Sequence, residues 1–209
     1  MALAHRWSSR NLTRLELTFA LLIIALMLGT FSARILALYA AAEERAVQAT
    51  VVNINTALRM YLYQLVIEGR LIDAVQWGGA NPMALIEQWG RVIDAGTLEK
   101  APELAGLSAV ATGFSSRYLG EFDDPDLATV EGGQWYFDRR ARALVYRVQN
   151  TEFFRSALKG PARIRFRVAL QFDDENNDGE YNSESDALQG AALKPMENFY
   201  WIEVGGGND

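Results

Sequence analysis

The longest hydrophobic pattern in the chain is an apolar run near the N-terminus. Residues 17–33 carry no charged side chain, Arg34 follows, and apolar residues then continue to residue 42. A membrane-spanning helix needs about 20 apolar residues, so residues 15–39 suffice if the Arg34 side chain reaches outward to the interface. The run therefore predicts a single transmembrane helix.

The charges that flank this run predict its orientation. Arg6, Arg10 and Arg14 precede it, and positive residues favour the cytoplasmic side, so the remainder of the chain is expected on the opposite side. A cleaved signal peptide is the alternative. Its apolar region would span only about 7–15 residues and end at a cleavage site, whereas helical periodicity continues here.

The periodicity beyond the membrane run predicts that the helix extends far outside the bilayer. Apolar residues recur at alternating spacings of four and three, which place them on one helical face: Val47, Val51, Ile54, Leu58, Tyr61 and Leu65. Val52, Ala57, Leu62 and Val66 widen this face, which indicates contact with both the chain's own domain and a neighbour. Gly69 is the expected stop signal. A helix over residues 12–68, with an amphipathic half at 43–68, would be about 85 Å long. A membrane anchor followed by a dimerising stalk fits the same pattern.

The rest of the chain, residues 69–209, predicts one globular α+β domain with a small antiparallel sheet. Asn81 and Pro82 open a short helical pattern as N-cap and first helical residue. The other predicted elements are a hairpin of strands at 135–138 and 143–148, a strand with strict alternation at 163–170, a last strand at 198–204, irregular loops at 95–132 and a disordered tail at 205–209. Arg163, Arg165 and Arg167 face outward in the alternating strand, a pattern more often solvated than used for binding.

Composition narrows the function classes. The net charge of −6 argues against a nucleic-acid surface. There is no cysteine, and the one histidine is His5, so disulfide frameworks, thiolate metal sites and Ser-His or Cys-His catalysis are excluded. Carboxylate pairs for glycoside hydrolysis have no spacing that singles one out. The chain is not expected to be an enzyme.

An acidic segment predicts a calcium loop. Residues 173–186 hold seven carboxylates and no lysine or arginine, and they follow the EF-hand order of oxygen ligands with Gly179 at the sharp turn. The predicted ligands are Asp174, Asn176, Asp178, Glu180 through its carbonyl, Asn182 and Asp186. Ser185 stands where an EF-hand has a bidentate Glu, so Glu184 or Asp186 would have to substitute. A solvated hairpin tip is the alternative, although crowded carboxylates repel one another unless a cation neutralises them.

The residues at the start of the apolar run carry a resemblance to a known family. Leu12, Thr13, Leu15 and Glu16 resemble the mature N-terminus of type IV pilins and type II secretion pseudopilins, in which an apolar residue and Thr precede a Glu at the fifth position. The basic leader of residues 1–11 also fits. Arg14 departs from the expected aliphatic residue. The order of segments between residues 81 and 148 resembles pilin-like proteins of mannose-sensitive haemagglutinin-type pili.

The resemblance implies a function for these residues. Glu16 would dock on a neighbouring subunit's amine or a basic side chain, with Thr13 and Arg14 beside it, and processing would fall between Asn11 and Leu12. Asn11 replaces the glycine that the prepilin peptidase requires, so an unprocessed protein confined to the inner membrane is the other possibility. The implied partners are the bacterial inner membrane, other pilin-like subunits through the helix at 12–68, and a pilus or secretion assembly platform. The alternative is a membrane-anchored periplasmic adaptor or sensor that never enters a filament.

Overall fold

A computed structural model describes residues 14–92, 117–175, 177–179, 181–182 and 186–202. Its helices are α1 (Arg14–Ile67) and α2 (Pro82–Val92), with 3₁₀ helices at Leu71–Trp77 and Thr151–Phe153. Its strands are β1 (Tyr118–Phe122), β2 (Trp135–Asp138), β3 (Ala143–Arg147), β4 (Phe154–Ser156), β5 (Arg163–Asp173), β6 (Ala187–Pro195) and β7 (Phe199–Trp201). The fold is α+β with a long N-terminal helix and a small, largely antiparallel sheet, as the sequence predicts at that level of detail.

The predicted long helix is one continuous element of 54 residues, about 81 Å at 1.5 Å per residue. It ends where the sequence predicts. Gly69 adopts a left-handed φ of 69°, its N–H donates to Val66 O at 3.1 Å, and the Arg70 N–H donates to Leu65 O at 2.8 Å. These two bonds form a Schellman motif, which supplies partners for carbonyls at the helix end.

The apolar face predicted between Val47 and Leu65, here called the seam, lies at the centre of the domain core. We call residues 43–67 the upper half of α1 and the residues before them its lower half. Five of the six seam residues are buried and Val51 is half-buried. The wider face divides in two: Ala57 and Leu62 are buried against the domain, whereas Val52 and Val66 are exposed. The periodicity therefore predicts the buried seam correctly, and the structure decides which flanking residues remain available to a neighbour.

The sheet has the order β1-β2-β3-β5-β6, and a separate two-stranded ribbon pairs β4 with β7. The predicted hairpin is β2–β3, and in β5 the residues Ile164, Phe166 and Val168 are buried on the face toward α1. β1 pairs with β2 in parallel. The sequence prediction of an antiparallel sheet is therefore wrong for this pair of strands.

Three strands are missing from the sequence prediction: the short β4, and the sheet strands β1 and β6. β1 lies inside the segment predicted to be loops, because its residues are only partly buried and Gly120 at φ 102° interrupts any alternation. β6 lies beyond the acidic loop and contains Gly190 and Pro195, which weaken a strand signal. Packing against β5 and α1 compensates: the Leu193 N–H donates to the Asn55 side-chain oxygen at 2.6 Å, so α1 supplies an acceptor for this edge strand.

The predicted short helix is confirmed as α2. Asn81 accepts a hydrogen bond from the Met83 N–H at 2.9 Å, which caps the helix as its position before Pro82 predicts. α2 packs on α1 through Trp89, whose indole N–H donates to the Gln64 side chain at 2.9 Å. The outward-facing arginines of β5 bind their own chain: Arg165 pairs with Glu197, and Arg167 donates to Ala141 O.

Candidate functional sites

The first candidate site is the lower half of α1. It is the one helix of the described chain that is long and apolar enough to cross a membrane. Large apolar side chains here are exposed, among them Phe19, Leu22, Leu26 and Met27, whereas the upper half is buried in the domain. α1 is therefore one continuous helix with two different surroundings. The domain buries its upper half, whereas the lower half exposes an apolar surface that a membrane or a protein partner could cover.

The residues predicted to dock subunits lie at the start of this helix. Glu16 is in the first turn of α1 and its side chain is exposed. A carboxylate near a helix N-terminus is favoured by the helix dipole. Asn11, Leu12 and Thr13 lie outside the described residues, and of Arg14 the structure describes the helical backbone at the start of α1.

The second candidate site is the junction between the lower half of α1 and the domain, which sequence reasoning missed. Glu43 is buried, with 9% of its surface exposed. Its Oε1 accepts from the Tyr146 hydroxyl at 2.8 Å and the Gln149 N–H at 2.7 Å. Its Oε2 accepts from the backbone N–H and the side-chain amide of Asn150, at 2.9 and 2.6 Å. We call these four residues the Glu43 clasp.

The chemistry of the clasp is that of a carboxylate held by neutral donors. Four hydrogen bonds to one carboxylate offset the cost of burying its charge, because bonds to an ionised acceptor are stronger than neutral ones. The pKa of Tyr146 is raised, first by burial, then by its bond to Glu43 and by the negative charge of that carboxylate. The clasp ties α1 to the end of β3, one helical turn beyond Tyr39, the predicted end of the membrane segment.

The sequence shows that Glu43 is a charged residue, but it does not show which residues Glu43 binds. Glu43 follows the apolar run directly, so a solvated charge at the interface is the natural interpretation. Its acceptor role depends on Gln149 and Asn150, which lie more than 100 positions away in the chain. No local periodicity connects them.

The third candidate site is the acidic loop between β5 and β6. Asp174 Oδ2 accepts the Gly179 N–H at 2.8 Å, and its Oδ1 is buried without a hydrogen-bond partner among the described residues. Asp186 is buried, and its two oxygens accept the N–H groups of Glu175 at 3.3 Å and Asn182 at 2.7 Å. Gly179 and Asn177 have left-handed φ values of 79° and 56°, which produces the tight turn that the loop pattern predicts.

The described part of the loop brings some of the predicted ligands together. Asp174 and Asp186 both bind the loop backbone, and Asp178 and Asn182 are exposed. Asn176 and Glu180 lie outside the described residues, as does Ser185. Among the described residues no group of three or more acidic, histidine or cysteine side chains is arranged to hold a metal ion.

A search of protein-family models, of curated proteins and of solved structures finds no significant match to this chain. The defining feature of its architecture is a helix with an exposed apolar lower half that continues as the core helix of an α+β domain.

Proposed function

We propose that this protein is a pilin-like minor subunit or biogenesis component of a type IV pilus or type II secretion pseudopilus. The observation that carries the proposal is the division of α1. Its lower half exposes apolar side chains from Leu17 onward, and its upper half is the core helix of the domain. In this reading the lower half crosses the bacterial inner membrane with the domain in the periplasm, and it packs on neighbouring subunits during assembly.

A second feature supports contact with neighbours outside the membrane. Four large apolar residues of the upper half are exposed: Val52, Tyr63, Val66 and Ile67. At about 100° per residue they fall within an arc of roughly 100°, so they form one stripe on the side of α1 away from the seam. We call them the outer stripe. Exposed apolar residues grouped on one side of a helix support the proposal of a contact with a neighbouring subunit, and Val52 and Val66 of the predicted widened face are among them.

Glu16 is the proposed docking charge. A carboxylate at the edge of a membrane costs a few kcal/mol unless it is neutralised, so it favours a cationic group nearby. Its exposed side chain is accessible to the N-terminal amine or a basic residue of an adjacent subunit. If the leader stays attached because Asn11 replaces glycine, Arg14 or a partner's amine is the proposed counter-ion.

The test compares two carboxylates of the same helix. Glu16→Ala is expected to abolish recovery of the protein in sheared filaments or pseudopili while its amount in the inner membrane is unchanged. Glu44→Ala, at a half-exposed position whose carboxylate accepts from Gln48, is the matched control and should assemble normally. Equal incorporation of both variants would contradict the docking role.

The anchored adaptor is the alternative outcome of this experiment. In that case the unmodified protein stays in the membrane fraction and is missing from sheared filaments. Intact-mass analysis of the membrane form complements the test, because it asks whether the chain is cut after Asn11.

We further propose that the acidic loop binds calcium in a structural role. The support is the buried Asp174 Oδ1, which has no hydrogen-bond partner in the described chain and is the kind of hard oxygen ligand that calcium takes. Asp178 and Asn182 are candidates for further ligands, with Asn176 and Glu180 from the predicted pattern. The ion would neutralise crowded carboxylates in a chain that has no disulfide to staple the loop.

A further inference from the structure

The Glu43 clasp determines which end of the sheet lies nearest the proposed membrane exit of α1. Glu43 is four residues beyond Tyr39, about 6 Å along the helix, and it binds the backbone of Gln149 and Asn150 directly. The carboxyl end of β3 is therefore held at this level. Because β5 is antiparallel to β3, the amino end of β5 lies there as well.

This end of the sheet carries two arginines directly opposite each other. Arg147 on β3 and Arg163 on β5 are cross-strand partners. Like charges in this arrangement are destabilising. Lys159 adjoins them, since its carbonyl accepts from Arg163 Nη1 at 2.9 Å, and its own side chain is exposed. We call Arg147, Lys159 and Arg163 the basic end cluster.

No carboxylate within the described chain forms an ion pair with the cluster. Arg147 donates to the carbonyls of Val130 and Ala162, and Arg163 donates to those of Lys159 and Pro161. Carbonyl groups hold the guanidinium groups in place but do not cancel their charge. Burial is the main cause that lowers the pKa of Arg147; Tyr136 opposes the shift, and the positive charge of Arg163 adds to it.

The opposite end of the sheet is organised differently. At the β2–β3 turn Arg139 lies 2.7 Å from an Asp123 oxygen, and Arg140 lies 3.7 Å from an Asp124 oxygen. The described acidic residues between β5 and β6 also lie at that distal end: Asp174, Glu175, Asp178 and Asp186. The arginine pair, which has no ion-pair partner in the described chain, is thus at the membrane end, and the acidic loop is at the distal end.

We propose that the basic end cluster binds the anionic phospholipid headgroups of the bilayer that α1 crosses. The inference rests on the proposed membrane span. A guanidinium group has five N–H donors, so Arg147 and Arg163 each retain donors beyond their carbonyl bonds, and a phosphodiester accepts such donors in pairs. The headgroup layer is about 5–8 Å deep on each side of the hydrocarbon core, which matches the level of the clasp. Binding would relieve the repulsion of the arginine pair and would orient the domain on the membrane.

The test uses the full chain, reconstituted in vesicles of phosphatidylcholine with phosphatidylglycerol. The chain lacks cysteine, so Ala157→Cys, at an exposed position beside the cluster, carries a single fluorescent label. A nitroxide quencher near the headgroup is placed either on phosphatidylglycerol or on phosphatidylcholine, with the overall composition unchanged. The expected result is stronger quenching by the labelled anionic lipid, and loss of this preference at high salt.

Matched variants identify the charges responsible. Lys159→Gln combined with Arg163→Gln should reduce the preference for the anionic lipid by about fivefold per charge removed. Arg139→Gln combined with Arg140→Gln removes the same charge from the distal end and should leave the preference unchanged. If the first pair impairs folding, the salt dependence of the unmodified cluster and the single change Lys159→Gln decide the question.

The outcomes separate this proposal from the proposed function. Equal quenching by both labelled lipids would overturn headgroup binding while leaving the membrane anchor intact. Absence of quenching by either lipid would contradict the anchor itself. Quenching that is equal for both lipids and falls as protein density rises would show that another copy covers the cluster, which also overturns the proposal.

Discussion

The Tyr146 hydroxyl donates a hydrogen bond to Glu43 Oε1 at 2.8 Å, joining the sheet to α1 at the point where the helix enters the domain. The two residues are 103 positions apart in the chain. Gln149 and Asn150 donate the other hydrogen bonds to this carboxylate, so Glu43 holds the end of β3 and the segment that follows it against the helix. This contact determines how the domain sits relative to the proposed membrane.

Replacing Glu43 should therefore destabilise the domain. Glu43→Ala leaves the Tyr146 hydroxyl and the N–H groups of Gln149 and Asn150 without their acceptor, at an expected loss of about 3 kcal/mol in the free energy of unfolding. Denaturant unfolding of the detergent-solubilised protein measures it. Glu44→Ala is the control and should change the free energy by less than about 0.5 kcal/mol, because its carboxylate lies on the surface. Similar losses for the two variants would contradict the clasp.

The clasp also predicts a dependence on alkaline pH. The pKa of Tyr146 is raised above its ordinary value of 10.0, so the fold favours the neutral phenol. The stability that it contributes is complete below pH 10 and is lost as the pH rises beyond that value, because the unfolded chain releases the proton first. The free energy of unfolding should consequently fall above pH 10.

Tyr146→Phe isolates this contribution. Burial raises the pKa of Tyr118 and of Tyr136 to about 12 as well, so the variant should keep part of the alkaline loss and show a shallower slope than the unmodified protein. The measurement is unfolding at a series of pH values. If the free energy of unfolding of the variant fell with pH as steeply as that of the unmodified protein, the other tyrosines would be the cause of the alkaline loss.

Two glycines, one just beyond the end of α1 and one within α2, should respond to replacement by alanine with opposite changes in stability. Gly69 ends α1 at φ 69°, where a Cβ meets no atom within 4 Å but the backbone is strained for an L-residue, so Gly69→Ala should destabilise by about 1 kcal/mol. Gly90 lies within α2, its added Cβ also meets open space, and Gly90→Ala should stabilise by about 0.5–1 kcal/mol. Thermal melts check both, and a shift of the same sign would contradict the Schellman cap.

Calcium should raise the melting temperature of the protein if the acidic loop binds it. A millimolar affinity, of order 10⁻⁴–10⁻³ M, is typical of extracellular calcium modules, and binding to the folded state alone stabilises it by mass action. Asp174→Asn should abolish the shift, because this residue supplies the buried Oδ1. Magnesium at the same concentration is the control for ionic strength. No shift with calcium would favour the solvated loop.

The elements that could be predicted from the sequence are those with a local signal. The heptad seam of α1 is read from residues three and four apart, and the strand at Ile164, Phe166 and Val168 is read from residues two apart. The Gly69 stop and the Asn81 cap likewise need only their immediate neighbours. Each prediction succeeds because burial of one face imposes a period that the chain itself displays.

The tertiary structure decided everything that depends on distant pairing. β6 has no clear period, and it is a strand because β5 and Asn55 supply partners for its backbone. Val52 and Ala57 look alike in the pattern, yet the domain covers only Ala57. Glu43 has the sequence of an exposed charge and becomes a buried acceptor, because the end of β3 brings four donors to it. The sequence thus determined a long apolar helix and its buried face, and the packing of remote segments determined where that helix is held.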